Sequence, residues 1–221
     1  MGCKMIIAFC VPGRYQSMEW TRSWTDMLIY CIEHDINFYL YQWYTSDIYL
    51  CRNELITREL QIPWEMMPCF GGKPYDYMMW IDGDIGFKPD DVMKLVNSGK
   101  EIISGVCPMG PTPRCPAGRY AENEHGMVIP GFININSLDE LEPDTIFEVD
   151  WSGFGFIAVK KGVFESMEYP WFRTTLRKKD RREINPSEDV GWCLRAVEQG
   201  YKIWLHSGVR VTHNKELCLR A

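Results

Sequence analysis

The chain of 221 residues lacks several features that would place it in other protein classes. No apolar stretch approaches the roughly 20 residues that a membrane-spanning helix requires, so we expect no membrane span. There is no excess of basic residues, and the net charge of -6 argues against a nucleic-acid partner. There is also no internal repeat and no linker that would divide the chain, so we expect a single domain over residues 1–221.

The cysteines lack the spacing of a metal site or a disulfide framework. They number nine, an odd count, and none forms a CxxC pair. Cys10 and Cys107 lie inside apolar runs, which is typical of buried free thiols. Free thiols are characteristic of a reducing compartment, and the sequence therefore predicts a cytoplasmic protein.

Apolar runs bounded by turn residues alternate with helical spacings through the first half of the chain. The runs predict buried parallel strands, and apolar spacings of three and four predict helices. Their alternation predicts an α/β fold, in which a mostly parallel central sheet is flanked by helices in a Rossmann-like domain. The predicted strands are 4–11, 36–43, 77–81 and 101–107, and the predicted helices are 17–34, about 47–60, and one that opens at Pro89.

The second half of the chain is less regular. Four prolines predict an irregular loop over 107–118, and a cluster of basic residues over 173–182 is usually a solvated face. Short helices are expected from Lys161 and, capped by Ser187, from about residue 188. The predicted strands are 127–136, 146–150, 155–159, 202–205 and 209–212.

The sharpest motif is Asp82-Gly83-Asp84, which comes directly after an apolar strand. Ligands of open α/β sheets bind at the carboxyl ends of strands, and carboxylates are the hard oxygen ligands that a cation bridging a diphosphate needs. As a bare pattern the motif is common, and a solvated acidic turn is the competing interpretation. Its position at a strand end favours the metal site.

Three further residues could complete such a site. Glu188 and Asp189 open the last predicted helix, and His213 follows a late strand. Taken singly, the two acids are most simply explained by helix capping and compensation of the helix dipole. A hydrogen-bonded imidazole in the core or at the surface is likewise the simplest explanation of His213.

In this order, Asp82 with Asp84, Glu188 with Asp189, and His213 resemble the glycosyltransferases of GT-A fold. Members of that family have an aspartate pair after a strand, a Glu-Asp pair opening a late helix, and often a metal-binding His beyond it. The resemblance spans nearly the whole chain, and the small glycosyltransferases of chlorella viruses are the narrower likeness. If the chain is viral, the host cytoplasm is its expected location.

The resemblance implies roles for individual residues. Asp84 and His213 would be metal ligands, and Asp82 a ligand or a partner of the ribose and metal-bound water. Asp189 or Glu188 would be the base of an inverting reaction, although the sequence leaves a retaining mechanism open. The implied nucleotide-binding residues are Pro12, Arg14, Tyr15, Arg52, Asn53, Asp82, Gly83 and Lys215, and the implied sugar and acceptor residues are Trp151, Ser152, Gly153 and Phe154.

The implied reaction moves a sugar from a nucleotide diphosphate donor, a UDP-sugar such as UDP-glucose, to a hydroxyl of a glycan or glycoprotein. A nitrogen ligand beside carboxylates indicates Mn²⁺, with Mg²⁺ as a substitute. Residues 1–107 would bind the nucleotide, and residues 108–221 would carry the acceptor and catalytic part. One departure is Gly83 between the acids with Ile85 after them, where many members have more acidic residues.

Three other functions compete with this interpretation. The segment 82–86 resembles the DxDxT motif of haloacid-dehalogenase-type phosphatases, in which the first Asp is a nucleophile. That motif normally follows the first strand, whereas two predicted strands precede it here. A sugar-nucleotide pyrophosphorylase would need a glycine-rich turn that 11–14 lacks. A non-catalytic carbohydrate-binding protein is supported only by the nine tryptophans and the aromatic content of 14%.

Overall fold

The computed structural model describes residues 4–57, 68–122, 128–174, 177–179, 182–184 and 186–215. Four helices are present in these residues, α1 (Met18–Glu33), α2 (Ile48–Thr57), α3 (Pro89–Asn97) and α4 (Glu188–Glu198), with 3-10 turns at Cys69–Gly72 and Ile135–Glu140. The strands are β1 (Ile6–Pro12), β2 (Asn37–Trp43), β3 (Tyr77–Ile81), β4 (Ile85–Gly86), β5 (Ile102–Val106), β6 (Arg114–Cys115), β7 (Ala117–Gly118), β8 (Tyr120–Glu122), β9 (Val128–Pro130), β10 (Ile133–Asn134), β11 (Ile146–Val149), β12 (Trp151–Ser152), β13 (Phe156–Lys160), β14 (Arg177–Lys179), β15 (Arg182–Ile184), β16 (Ile203–Arg210) and β17 (Thr212–His213).

Seven of these strands form the central sheet, in the order β11–β16–β5–β13–β3–β1–β2. β1 pairs in parallel with β2 and β3, and β5 pairs in parallel with β16. β13 runs antiparallel between β3 and β5, and β11 is an antiparallel edge strand. The prediction of a mostly parallel, mixed α/β sheet is confirmed.

Helices cover both faces of this sheet because successive side chains of a strand point to opposite faces. On one face, Phe9 of β1 belongs to the same core cluster as Trp20 and Met27 of α1, and α3 packs there too. On the other face, Leu55 of α2 and Trp192 of α4 share a second, larger cluster. The strand ends between these two layers are therefore the open places for a site.

Several predicted elements differ in detail from the structure. The expected helix from Lys161 is wrong: residues 161–166 form turns, because Gly162 has a φ of 102°, outside the helical region. The two expected strands at 202–205 and 209–212 are largely one continuous strand, β16, with an irregular register after His206. The expected loop at 107–118 contains the short strands β6 and β7, which pair with β10 and β12.

Three other expectations fall partly outside the described residues. The predicted helix over about 47–60 corresponds to α2, which is described as far as Thr57, while residues 58–60 lie outside the described part. The predicted strand 127–136 corresponds to β9 and β10 followed by a 3-10 turn, and residue 127 is not described. The basic segment 173–182 includes β14, which pairs with β15, but residues 175–176 and 180–181 lie outside the described part. Within the described chain, no helix combines the length and apolar character that a bilayer crossing demands.

Candidate functional site

A cleft of about 570 Å³ opens where β1, β2 and β3 end. These three strands are parallel neighbours, so their carboxyl ends meet at one edge of the sheet, the usual ligand position in open α/β sheets. α2 and the first turn of α4 supply the remaining walls. The lining residues are Pro12, Gly13, Arg14, Tyr15, Tyr44, Thr45, Ser46, Ile48, Cys51, Arg52, Asp82, Gly83, Asp84 and Glu188.

The turn that follows β3 is held by backbone hydrogen bonds. The Asp82 amide donates to the Gly155 carbonyl over 3.0 Å, and the Ser17 amide donates to the Gly83 carbonyl over 2.8 Å. A Cβ on Gly83 would lie 2.5 Å from the Tyr15 carbonyl oxygen, a backbone atom that cannot turn away. Only glycine therefore fits between the two acids.

Strand pairing brings His213 to the acidic turn from the end of the described chain. β17 pairs with β4, which places the imidazole Nε2 3.0 Å from Asp84 Oδ2. The other ring nitrogen, Nδ1, lies 2.6 Å from the carbonyl oxygen of Pro108. Lys215 donates to the same Asp84 oxygen over 3.0 Å. Two neighbouring cationic or metal-binding groups thus converge on one carboxylate oxygen.

The geometry of His213 bears on whether a metal fits here. A carbonyl oxygen only accepts hydrogen bonds, so Nδ1 carries the hydrogen and the lone pair of Nε2 faces Asp84 in the neutral ring. Two acceptors 3.0 Å apart need either a proton or a metal ion between them. Asp84 and His213 therefore fit as two ligands. Among the described residues, no group of three His, Cys, Asp or Glu side chains is arranged around one metal position.

Arg52 is a buried cation beneath the acidic turn. Its guanidinium lies 3.4 Å from Asp82 Oδ1 and 3.3 Å from Glu188 Oε1, and its side chain is only 4% exposed. The guanidinium carbon also lies within 5.4–5.8 Å of the ring centroids of Phe154, Trp80 and Phe172. Arg52 thus links the end of β3 to the first turn of α4.

The charges around Arg52 affect one another. Burial raises the pKa of Asp82, because removal of water disfavours the carboxylate, while Arg52 acts in the opposite direction. Burial alone would lower the pKa of Arg52, but Asp82 and Glu188 outweigh it and the net pKa is raised. The guanidinium therefore stays charged and compensates both acids.

The two acids that open α4 differ in environment. Glu188 lines the cleft and bonds to Arg52. Asp189 bonds through Oδ1 to the Ser187 hydroxyl and to its neighbour's amide, while the described residues give its Oδ2 no hydrogen bond. A Cβ on Gly153 would lie 3.3 Å from that Oδ2, so Asp189 faces the Gly153 backbone. Each acid keeps one oxygen without a hydrogen bond among the described residues, but only Glu188 is paired with a cation.

Some residues expected at the site have other positions. The Asn53 amide is buried and bonds in both directions to the Phe172 backbone, so its expected contact with the nucleotide is corrected to a structural role. Trp151, Ser152 and Phe154 are buried in the core, which corrects their expected contact with the sugar. Gly153 alone of that segment stays beside a candidate catalytic acid.

The cleft also contains residues that sequence reasoning missed. Tyr44, Thr45 and Ser46 line it from the turn after β2, and Ile48 lines it from the start of α2. The sequence did show that these residues follow a predicted strand. It did not show that this strand lies next to β1, because strand order cannot be read from the sequence. Lys215 does not line the cleft but lies at its edge through Asp84.

Comparisons with known proteins bear on the fold. No family model and no curated protein matches the sequence. A197 from STIV superposes with a TM-score of 0.58 at 14% identity, covering 96% of this chain and 86% of that one. GalNAc-T7 with UDP, GalNAc and Mn²⁺ superposes with a TM-score of 0.56 at 9% identity, covering 96% of this chain. The chain has a GT-A fold.

These similarities are remote in sequence and, for some of the proteins, partial in length. The chain spans 43% of the length of the GalNAc-T7 chain. A glycosyltransferase involved in the glycosylation of the PBCV-1 major capsid is more distant, with a TM-score of 0.36 over 76% of this chain. The predicted GT-A fold is confirmed.

Proposed function

We propose that the chain is a metal-dependent glycosyltransferase that uses a nucleotide diphosphate sugar. The observation that carries the proposal is the cleft at the ends of β1, β2 and β3, where Asp84 and His213 face each other 3.0 Å apart. This arrangement provides a site whose acids are suited to a diphosphate-bound cation. Asp189 follows the cleft residue Glu188, and its Oδ2 accepts no hydrogen bond among the described residues.

The donor is proposed to be a UDP-sugar such as UDP-glucose. Tyr15 and Tyr44 are exposed, line the cleft and provide flat surfaces for a base. Asp82 and Asp84 line the same cleft, with Lys215 at its edge on Asp84, and there the diphosphate would be held. The choice of uracil rests on the family resemblance and on the GalNAc-T7 structure with UDP, which shares the fold.

The metal is proposed to be Mn²⁺, with Mg²⁺ as a substitute, held by Asp84 and His213. When bound it would stabilise the negative charge that develops on the departing diphosphate. The Pro108 carbonyl fixes the His213 ring with Nε2 toward Asp84, and Arg52 compensates the charge of Asp82 beside it. The protein itself thus orients one nitrogen and one oxygen toward the proposed metal position.

Asp189 is proposed as the base that takes the proton of the acceptor hydroxyl in an inverting transfer. Glu188 is held in an ion pair with Arg52, whereas Asp189 forms no ion pair among the described residues and its Oδ2 accepts no hydrogen bond there. The acceptor would be a glycan or glycoprotein. We retain the division into a nucleotide-binding part, 1–107, and an acceptor part, 108–221, and a cytoplasmic location, as proposals.

UDP should raise the melting temperature of the protein when Mn²⁺ or Mg²⁺ is present and leave it nearly unchanged in excess chelator. The reason is that a ligand that binds only the folded state stabilises it, and the Asp84–His213 pair can hold the diphosphate only through a cation. A thermal-shift series with UDP, GDP and metal alone measures this. Equal UDP binding by calorimetry with and without chelator would contradict the metal assignment, and stronger stabilisation by GDP would contradict the choice of uracil.

Asp84→Ala and His213→Ala should both weaken metal-dependent UDP binding, Asp84→Ala by the larger factor because it also removes a negative charge beside the cation. Calorimetry with Mn²⁺ measures the change. Asp35→Asn removes one acidic charge in the turn before β2, at the end of that strand away from the cleft, and this variant should bind UDP as the wild type does. If circular dichroism shows that the two site variants are unfolded, these residues are structural and the assignment fails.

The phosphatase interpretation makes a different prediction for the same protein. It requires Asp82 to act as a nucleophile, yet Asp82 Oδ1 is paired with the buried Arg52 and no observation favours the phosphatase. Release of phosphate from simple phosphomonoesters, with no requirement for a sugar nucleotide, would restore that alternative.

A further inference from the structure

Three exposed aromatic side chains stand out in the part of the chain that the structure describes. Tyr15, Tyr44 and Phe132 are 74%, 48% and 42% exposed, respectively, whereas the other described aromatic rings are more covered. Tyr15 and Tyr44 line the donor cleft. Phe132 does not line it, so this ring is available to a ligand other than the donor nucleotide.

Phe132 is held in a fixed position. Its ring packs edge-on against the buried Trp151, with a centroid distance of 5.1 Å. The preceding Gly131 donates to the Arg119 carbonyl over 2.8 Å, and a Cβ on Gly118 would lie 1.7 Å from the Gly131 carbonyl oxygen. Only a glycine at 118 permits this approach. An apolar ring is therefore presented rigidly to solvent, which lowers the entropic cost of binding a partner.

The short strands β7 and β12 connect Phe132 to Asp189. β7 pairs with β12, so Pro116 and Gly153 come together, and the Gly153 amide donates to the Pro116 carbonyl over 2.5 Å. Asp189 Oδ2 faces Gly153, while Trp151, two residues earlier, supports the Phe132 ring. The proposed base and the exposed ring thus both lie against the short segment from Trp151 to Gly153, and neither Asp189 nor Phe132 lines the donor cleft.

We infer that Phe132 is a sugar-binding platform for the acceptor, and that the acceptor is a neutral glycan of at least two sugar units. This inference rests on the proposed function. The apolar C–H face of a pyranose ring packs on an aromatic face, and a neutral partner suits a phenyl ring that offers neither charge nor hydrogen bonds. One sugar would lie on Phe132 while the next directs its hydroxyl to Asp189.

The test is saturation-transfer NMR with a panel of neutral oligosaccharides, combined with transfer assays on the one that binds. Phe132→Ala should abolish most of the saturation transfer and raise the acceptor KM by about tenfold or more, the scale of a lost aromatic anchor. Phe132→Tyr should retain binding. Leu141→Ala removes a comparably exposed apolar side chain, 40% exposed, and should behave as wild type.

UDP calorimetry separates this inference from the proposed function. All three variants should bind UDP with Mn²⁺ as the wild type does, because Phe132 and Leu141 do not line the donor cleft. If the wild type fails to bind UDP, the proposed function fails. If it binds UDP and transfers sugar, but Phe132→Ala keeps a normal acceptor KM, the platform is overturned. A wild type that receives only charged acceptors overturns the neutral-glycan class.

Discussion

Asp189→Asn is expected to slow sugar transfer by about a hundredfold or more, the usual scale for loss of a general base. Asparagine keeps the size of the side chain and the oxygen that accepts the Val190 amide at 2.7 Å, but it cannot take a proton. UDP and Mn²⁺ binding should stay near wild type, because Asp189 does not line the donor cleft. A transfer assay with a panel of acceptors measures the loss, since slow donor hydrolysis could proceed without the base.

Glu188→Gln is the matched control for this prediction. Glutamine can still accept the hydrogen bond from Arg52, so the cleft wall should persist and transfer should fall much less than in Asp189→Asn. A large loss in Glu188→Gln with normal transfer by Asp189→Asn would move the base to Glu188. Normal transfer by both variants would remove the carboxylate base and favour a retaining mechanism.

Much of the fold could be predicted because its signals are local. The apolar runs that became β1 and β3 are buried on both faces, and such strands read as continuous apolar sequence. The acidic turn follows β3 directly, so its place at a strand end was also visible. The helix from Lys161 failed because a single glycine, Gly162, adopts a positive φ that apolar spacing does not reveal.

The less predictable part of the site depends on contacts between distant segments. His213 reaches Asp84 across 129 positions, and the sequence suggested this pairing only through family order. The sequence predicted that Asn53 contacts the nucleotide. In the structure its side-chain amide forms its hydrogen bonds with the backbone of Phe172, 119 positions away. Phe132 gave no signal at all, because its exposure depends on Gly118 and Gly131 packing backbone against backbone.

The contacts of Arg52 with distant acids were likewise not visible in the sequence. A substitution of Arg52 is the prediction with the largest expected effect on stability. The sequence indicated a residue that meets the nucleotide base, but the structure places the guanidinium under Asp82 and Glu188. Arg52→Met should destabilise the protein by about 3 kcal/mol, because removing one member of a buried ion network leaves the other charges uncompensated. Urea unfolding monitored by circular dichroism measures the change in the free energy of unfolding.

Two further variants test whether the destabilisation of Arg52→Met comes from the loss of charge. Arg210→Met breaks an exposed ion pair with Asp139 and should cost about 1 kcal/mol or less. Adding Glu188→Gln to Arg52→Met removes one of the two uncompensated acids, so the double variant should be more stable than Arg52→Met alone. Since methionine still packs against Trp80 and Phe154, loss of contact area accounts for little of the effect. An Arg52→Met variant as stable as wild type would show that Asp82 and Glu188 keep enough water to need no buried cation.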